Sequence, residues 1–308
     1  MRSLNIVISF ITIILLSGCI NISNSSSNII DYSNLNFDLQ NIPEKIENGQ
    51  NFDALVIITN NGKYTINSEE LFIRLLDTAQ FGLDINNQNN DYQNIVDNKY
   101  ITNSIPIKGK FLGQENGDIF TFEINSIKFN TFLNSNEKTV FNLEQCHKYN
   151  TQIFSDICIS KDSYGQNCNS NEKKVTETGS NDIQIKSYEQ INSVASGPNV
   201  YSTFKIKGKY NGLSQVSYNK DLSCLTQKEN NIILIDKIQI GSKIVDNLGK
   251  YCGSNLLYLD KNNEFEILCK GLPTYDVWTR SSFDFTEKIT ITLSYLKSDI
   301  ISKDLTIL

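Results

Sequence analysis

Ile289, Ile291, Leu293 and Tyr295 set an apolar side chain at every second position, and that period of two constrains this chain more than any other feature. Successive side chains of an extended strand point to opposite faces, so alternation marks one buried and one wet face, whereas a helix repeats every three to four residues. The same period runs through Phe52, Ala54, Val56 and Ile58, and through Phe120, Phe122 and Ile124. It continues in Phe141 with Leu143, in Ile153, Ile157 and Ile159, and beyond them in Phe204 with Ile206, Ile238 with Ile240 and Phe265 with Ile267. β-Branched and aromatic types fill most of these positions, as strands favour. An all-β chain is predicted. Asn60-Asn61-Gly62 supplies residues that reach positive φ cheaply, so the first strand ends there. The segment from Asn67 to Leu76 admits two readings: a short helix capped by Asn67 with Glu70 reaching back, or a strand pairing with its predecessor as a hairpin. Its run of Leu, Phe and Ile after a turn favours the strand.

With 39% hydrophobic and 20% charged residues, the chain has enough apolar material for real cores and is not a disordered polymer. Its length past the first 34 residues suits two domains. The polar stretch 164–182, with Gly165, Asn169-Ser170-Asn171 and Gly179-Ser180-Asn181, is the best boundary, leaving 35–163 and 183–308 as domains. Phe141, Leu143, Ile153, Ile157 and Ile159 match Ile289, Ile291, Ile301, Leu305 and Ile307 at a constant offset, so each half is expected to finish with the same strand, turn, strand unit. Two tandem immunoglobulin-like β-sandwich domains account for both length and repeat.

Met1-Arg2, an apolar run from Leu4 to Leu16 and Leu16-Ser17-Gly18-Cys19 resemble a prokaryotic lipoprotein signal peptide and its lipobox. The apolar run of roughly 13 residues is short for a spanning helix, which needs about 20. The resemblance implies that residues 1–18 are cleaved and that Cys19 becomes a diacylglyceryl anchor in the lipid bilayer, on the extracytoplasmic face of the cell membrane. An uncleaved amino-terminal anchor is the alternative. Residues 19–34, rich in Asn and Ser, form a flexible stalk, with Asn-x-Ser sequons at Asn21 and Asn24. Six cysteines remain, and an even set in an exported chain reads as disulfides. Cys158 with Cys168 and Cys252 with Cys269 each bracket a turn-like stretch. Cys146 with Cys224 follows by elimination.

The segment Ile46-Glu47-Asn48-Gly49-Gln50-Asn51-Phe52, running through Ala54 to Ile58 into Asn60-Asn61-Gly62-Lys63-Tyr64, resembles the opening of an archaeal cell-surface immunoglobulin-like domain of the CARDB-like kind. Cys146 to Thr151 running into Asp156-Ile157-Cys158-Ile159, and Leu293-Ser294-Tyr295 running into Ile300-Ile301-Ser302-Lys303, look like the closing hairpins of two-domain proteins of that group. The resemblance implies a fold and no catalytic residues.

A formal charge of -6 without a basic stripe excludes general nucleic-acid binding. The one histidine, His147, limits acid–base chemistry, and a Cys146/His147 dyad is poor because strand neighbours diverge. No Gly-x-Ser-x-Gly elbow, phosphate loop or Cys-x-x-Cys occurs. Glu69-Glu70 diverge likewise, against glycosidase use. Two oxygen-rich stretches, Asp84, Asn86, Gln88 and Asp91, and Asp260, Asn262 and Glu264, invite calcium, although a solvated polar loop is the better reading of each. Tyr275, Trp278 and Phe283 after Pro273 form a candidate binding patch, with a core tryptophan as the competing reading. The sequence therefore predicts a non-catalytic, cofactor-free envelope protein that binds a protein or glycan partner or builds the envelope. A transporter's solute receptor and an envelope hydrolase are the rivals.

Overall fold

A computed structural model of the protein describes residues 35–62, 65–83, 93–96, 100–110, 117–129, 137–160, 168–169, 174–196, 199–276 and 284–308. The signal segment with Cys19, the stalk with Asn21 and Asn24, the loop from Asp84 to Asp91, and Trp278 and Phe283 lie outside the described residues. The first half contains β1 (Leu35–Gln40), β2 (Lys45–Ile46), β3 (Asn51–Asn60), β4 (Leu71–Leu75), β5 (Phe81–Leu83), β6 (Gln93–Val96), β7 (Tyr100–Asn103), β8 (Ile119–Phe129) and β9 (Glu137–Ser160). The second contains β10 (Thr176–Thr178), β11 (Ile183–Ser196), β12 (Asn199–Tyr210), β13 (Gln215–Tyr218), β14 (Glu229–Asn230), β15 (Ile232–Ile240), β16 (Lys243–Ile244), the one-turn helix α1 (Leu248–Cys252), β17 (Leu256–Tyr258), β18 (Glu264–Asp276) and β19 (Asp284–Ile307). The all-β class expected from the alternation holds.

Pairing is antiparallel except where β2 runs parallel to the end of β19. One four-stranded sheet has the order β1-β3-β8-β5, a three-stranded sheet the order β11-β12-β18, and a twelve-stranded sheet runs β14-β13-β19-β9-β4-β7-β6 with β2, β10, β15, β16 and β17 beside that path. The two small sheets each cover one end of the large one, and two sandwich cores result. The first core joins Val56, Ile58 and Phe122 to Leu71, Phe141, Leu305 and Ile307. Phe52, Phe81, Phe129 and Phe141 meet there edge to face, with centroids 5.3 to 6.3 Å apart, as ring quadrupoles prefer. The second core joins Phe204, Ile206 and Ile267 to Tyr149, Ile153, Ile291, Leu293 and Tyr295.

Segment Leu71–Leu75 is a strand, as favoured, yet it is not the hairpin partner of β3. It crosses to the other sheet and pairs with β9 and β7. The Glu70 carboxylate does reach back to Asn67, accepting from its backbone N–H and its Nδ2 at 3.0 Å each, in a turn where Glu69 takes φ 62°. The capping-box residues thus serve a strand's approach.

The expected closing hairpins are absent. β9 and β19 are single strands of 24 residues each, and they pair with one another from Ser160↔Asp284 to Glu137↔Ile307 without a register shift. Each belongs to both cores. β9 puts Phe141 and Leu143 into the first core and Ile153, Ile157 and Ile159 into the second, while β19 puts Ile289 to Tyr295 into the second and Leu305 and Ile307 into the first. The division between cores therefore falls within these strands and not at 164–182. Part of that stretch is itself built in: Thr176–Thr178 pairs with β9, and Cys168 is bonded to Cys158.

Side-chain amides close gaps in the backbone ladders. Gln190 Nε2 donates to Cys158 O at 2.7 Å and its Oε1 accepts from Cys158 N at 2.8 Å, in the manner of a neighbouring strand. Gln93 does the same to Glu123 of β8, tying the two sheets of the first sandwich together. Among the described residues no helix is long and apolar enough to cross a membrane.

Candidate functional site

Midway along the β9/β19 ribbon both cores thin out, and the strands carry polar residues at the waist. Alternation sorts them onto two faces. Glu144 and Cys146 of β9 share the outer face with Leu296 and Ser298 of β19; Gln145, His147, Lys297 and Asp299 share the inner one.

On the outer face, the disulfide of Cys146 and Cys224 pins the loop 219–228 against β9, and a small cluster of Phe72, Cys146, Cys224 and Leu296 is buried beneath it. The loop is shaped by Asn219, whose Oδ1 accepts from Ser223 N at 2.9 Å and whose Nδ2 donates to Ser223 O at 2.6 Å. The loop, β13, β14 and β4 enclose a cleft of about 320 Å³. In it Arg74, opposite Glu144 in the ladder, donates through Nε to Glu144 Oε2 and lies 5.7 Å from the Tyr100 ring centroid. Lys228 Nζ lies 3.8 Å from Glu144 Oε1, 3.4 Å from Ser298 Oγ and 3.1 Å from Cys146 Sγ. Burial lowers the Lys228 pKa, Glu144 opposes that shift and Arg74 adds to it. Two cations against one carboxylate leave the cleft positive in an acidic protein. Gln215, Thr226, Gln227 and Asn230 add neutral hydrogen-bonding groups to the wall. Ser217 lines the same cleft, is 2% exposed, and its Oγ has no hydrogen-bond partner among the described residues.

On the inner face, His147 is buried and neither ring nitrogen has a partner among the described residues. Burial first, and the Lys297 ammonium second, lower its pKa to about 4, with Asp299 pulling the other way. Lys297 itself is held by Asp182 at 3.0 Å and stands 5.5 Å from the Tyr149 ring centroid. Tyr149 stacks on Tyr295 at 4.9 Å. A pocket of about 200 Å³ lies at the edge of β9, where His147, Tyr149 and Asn150 meet Asn67 and Glu70.

Cys146 and His147 project to opposite faces and Cys146 is oxidised, so they form no dyad. The other cysteines are joined as Cys158 with Cys168 and Cys252 with Cys269, the same pairs that the turn-like spacings suggest. Asp260 Oδ1 accepts from the backbone N–H of Asn262 and Glu264 at 2.8 Å each, which lowers its pKa, while Glu264 pairs with Lys186. These hydrogen bonds shape the β17–β18 turn. Among the described residues no three His, Cys, Asp or Glu side chains gather as a metal cluster. The backbone of Tyr275 lies on β18 opposite Val200, so β18 runs on past Pro273, which sits at an irregularity of this edge strand where its missing N–H is tolerated. Its expected companions, Trp278 and Phe283, lie outside the described residues. Arg74, Ser217 and Lys228 are dispersed along the chain and carry no motif; only their pairing in the folded sheet unites them.

No family model and no curated protein matches the chain. Among solved structures the chain is similar to the collagen adhesin of S. aureus, at 13% identity over 90% of this chain and 93% of that one, with a TM-score of 0.16. A score that low carries no argument about this protein.

Proposed function

We propose that this protein is a lipid-anchored extracytoplasmic binding protein that holds its ligand in the waist cleft and carries out no catalysis. The single observation behind this reading is the cleft, where charged and hydrogen-bonding side chains from both halves converge beside a disulfide-pinned loop. Three disulfides suit an oxidising compartment, in keeping with the lipobox at Cys19 and with the surface immunoglobulin-like group that the sequence resembles. A transporter's solute receptor would need lobes that close on a hinge, and the unbroken ribbon joins the two sandwiches stiffly. A hydrolase built on the one histidine would need it accessible, and His147 is buried.

Two measurements test the reading. Metabolic labelling with a lipid precursor should mark the protein and be lost in Cys19→Ser; an unlabelled wild type would overturn the anchor. Full-length protein should retain envelope material from its native membrane, and Arg74→Gln should release it. Retention untouched by that change would remove the cleft from the proposal, and turnover of peptides or glycosides abolished by a change at His147 would replace binding with catalysis.

A further inference from the structure

Resting on the cleft as the binding site, we infer that its ligand is a carboxylated sugar, a uronic acid residue of an envelope glycan. Charge selects the anionic group. Glu144 is shared by Arg74 and Lys228, so one positive charge stays uncompensated at the cleft, and Arg74, with 41% of its side chain exposed, presents guanidinium N–H groups at the mouth. A planar fork of this kind matches a carboxylate in two-point contact.

The rest of the wall selects hydroxyls. Gln215, Gln227 and Asn230 each offer a carboxamide that both donates and accepts, and Thr226 adds a hydroxyl. Such groups suit a ring bearing vicinal hydroxyls. A peptide carboxylate would leave most of them facing apolar side chains or a few amides, and the cleft has little apolar wall beyond the Tyr100 ring, Leu225 and the disulfide to receive side chains. Ser217 supplies the independent observation. Its hydroxyl is buried at the cleft and unpartnered among the described residues, an arrangement that disfavours the unliganded protein and rewards a ligand hydroxyl that reaches it. The volume of about 320 Å³ stands at the small end of ligand pockets, the scale of one or two sugar rings.

The test is calorimetric titration of the full-length protein with digalacturonate, the neutral disaccharide cellobiose and the acidic dipeptide glutamyl-glutamate. Digalacturonate should bind at least about tenfold tighter than either, and more weakly as salt is raised. Arg74→Gln should weaken it about tenfold or more, as loss of a charge-assisted contact does. Ser217→Ala should weaken it several-fold while the thermal midpoint holds or rises, since an unpartnered buried hydroxyl is removed; a purely structural serine would move the midpoint and not the affinity. Equal binding of cellobiose would overturn the carboxylate, and preference for glutamyl-glutamate would overturn the sugar. If no probe binds although envelope material is still retained in an Arg74-dependent way, the sugar inference fails and the binding reading stands. If retention ignores Arg74, the cleft is not the site, and the sugar inference fails together with the placement of the ligand there.

Discussion

The two sandwich cores share a sheet and solve the same packing problem by different means. The first has no cysteine and rests on interlocked phenylalanines, Phe52, Phe81, Phe129 and Phe141, together with Leu305 and Ile307 delivered by β19. The second is stapled by Cys252 with Cys269 and flanked by Cys158 with Cys168, and it buries tyrosines, among them Tyr149, whose hydroxyl donates to Ser180 Oγ at 2.6 Å. The contrast teaches that one half is held by shape alone and the other by shape plus covalent restraint, although β9 and β19 make each depend on the other.

The largest break in that comparison should come from Phe141→Ala, which empties the centre of the first core and is expected to destabilise it by about 3–5 kcal/mol. Residue-resolved hydrogen exchange should show the loss at Val56 and Phe122, with a smaller loss at Ile153 on the same strand. No change at Ile153 would mean the halves are uncoupled. Replacing Cys252 and Cys269 by alanine opens a loop with a sequence separation of 17. The loss should be roughly 3 kcal/mol, confined to the second half and read by the same exchange experiment.

Acid should act at the waist between them. The His147 pKa of about 4 in the fold, against 6.5 unfolded, means that the unfolded chain takes up a proton that the folded one refuses. This contribution is intact above pH 6.5, declines as pH falls towards 4 and levels off below it, a loss on the order of 3 kcal/mol at most. Denaturant midpoints at pH 7, 5 and 4 should follow that course, and His147→Gln should flatten it above pH 5. The smallest effect belongs to the exposed pair Lys288 and Asp156, 2.7 Å apart across the ribbon with Lys288 78% exposed. Lys288→Met should change the unfolding free energy by less than about 1 kcal/mol.

Much of this fold was legible because burial on one face writes itself as alternation: Phe52 to Ile58 and Phe120 to Ile124 lie in the strands they mark. The ribbon's waist is where the pattern misleads. Gln145, His147, Lys297 and Asp299 interrupt the apolar pattern, and an interruption that resembles a turn marks the gap between two cores. Two signals contradict a turn: 144–151 and 294–302 contain no Gly or Pro, and Phe141, Leu143, Tyr149, Ile153, Ile157 and Ile159 keep one parity across the gap, as a single strand must. The cleft was not legible, because Arg74, Ser217 and Lys228 have no fixed spacing and meet only through pairings that sequence periodicity leaves undetermined.

The ribbon also sets an order of events. Ser160 pairs with Asp284 and Glu137 with Ile307, so no rung of it can form from neighbouring residues. The first core needs Leu305 and Ile307, which lie far along the chain from Val56 and Phe122. The first sandwich therefore stays incomplete until β19 is in place, and folding should be slow, as contacts between distant segments demand.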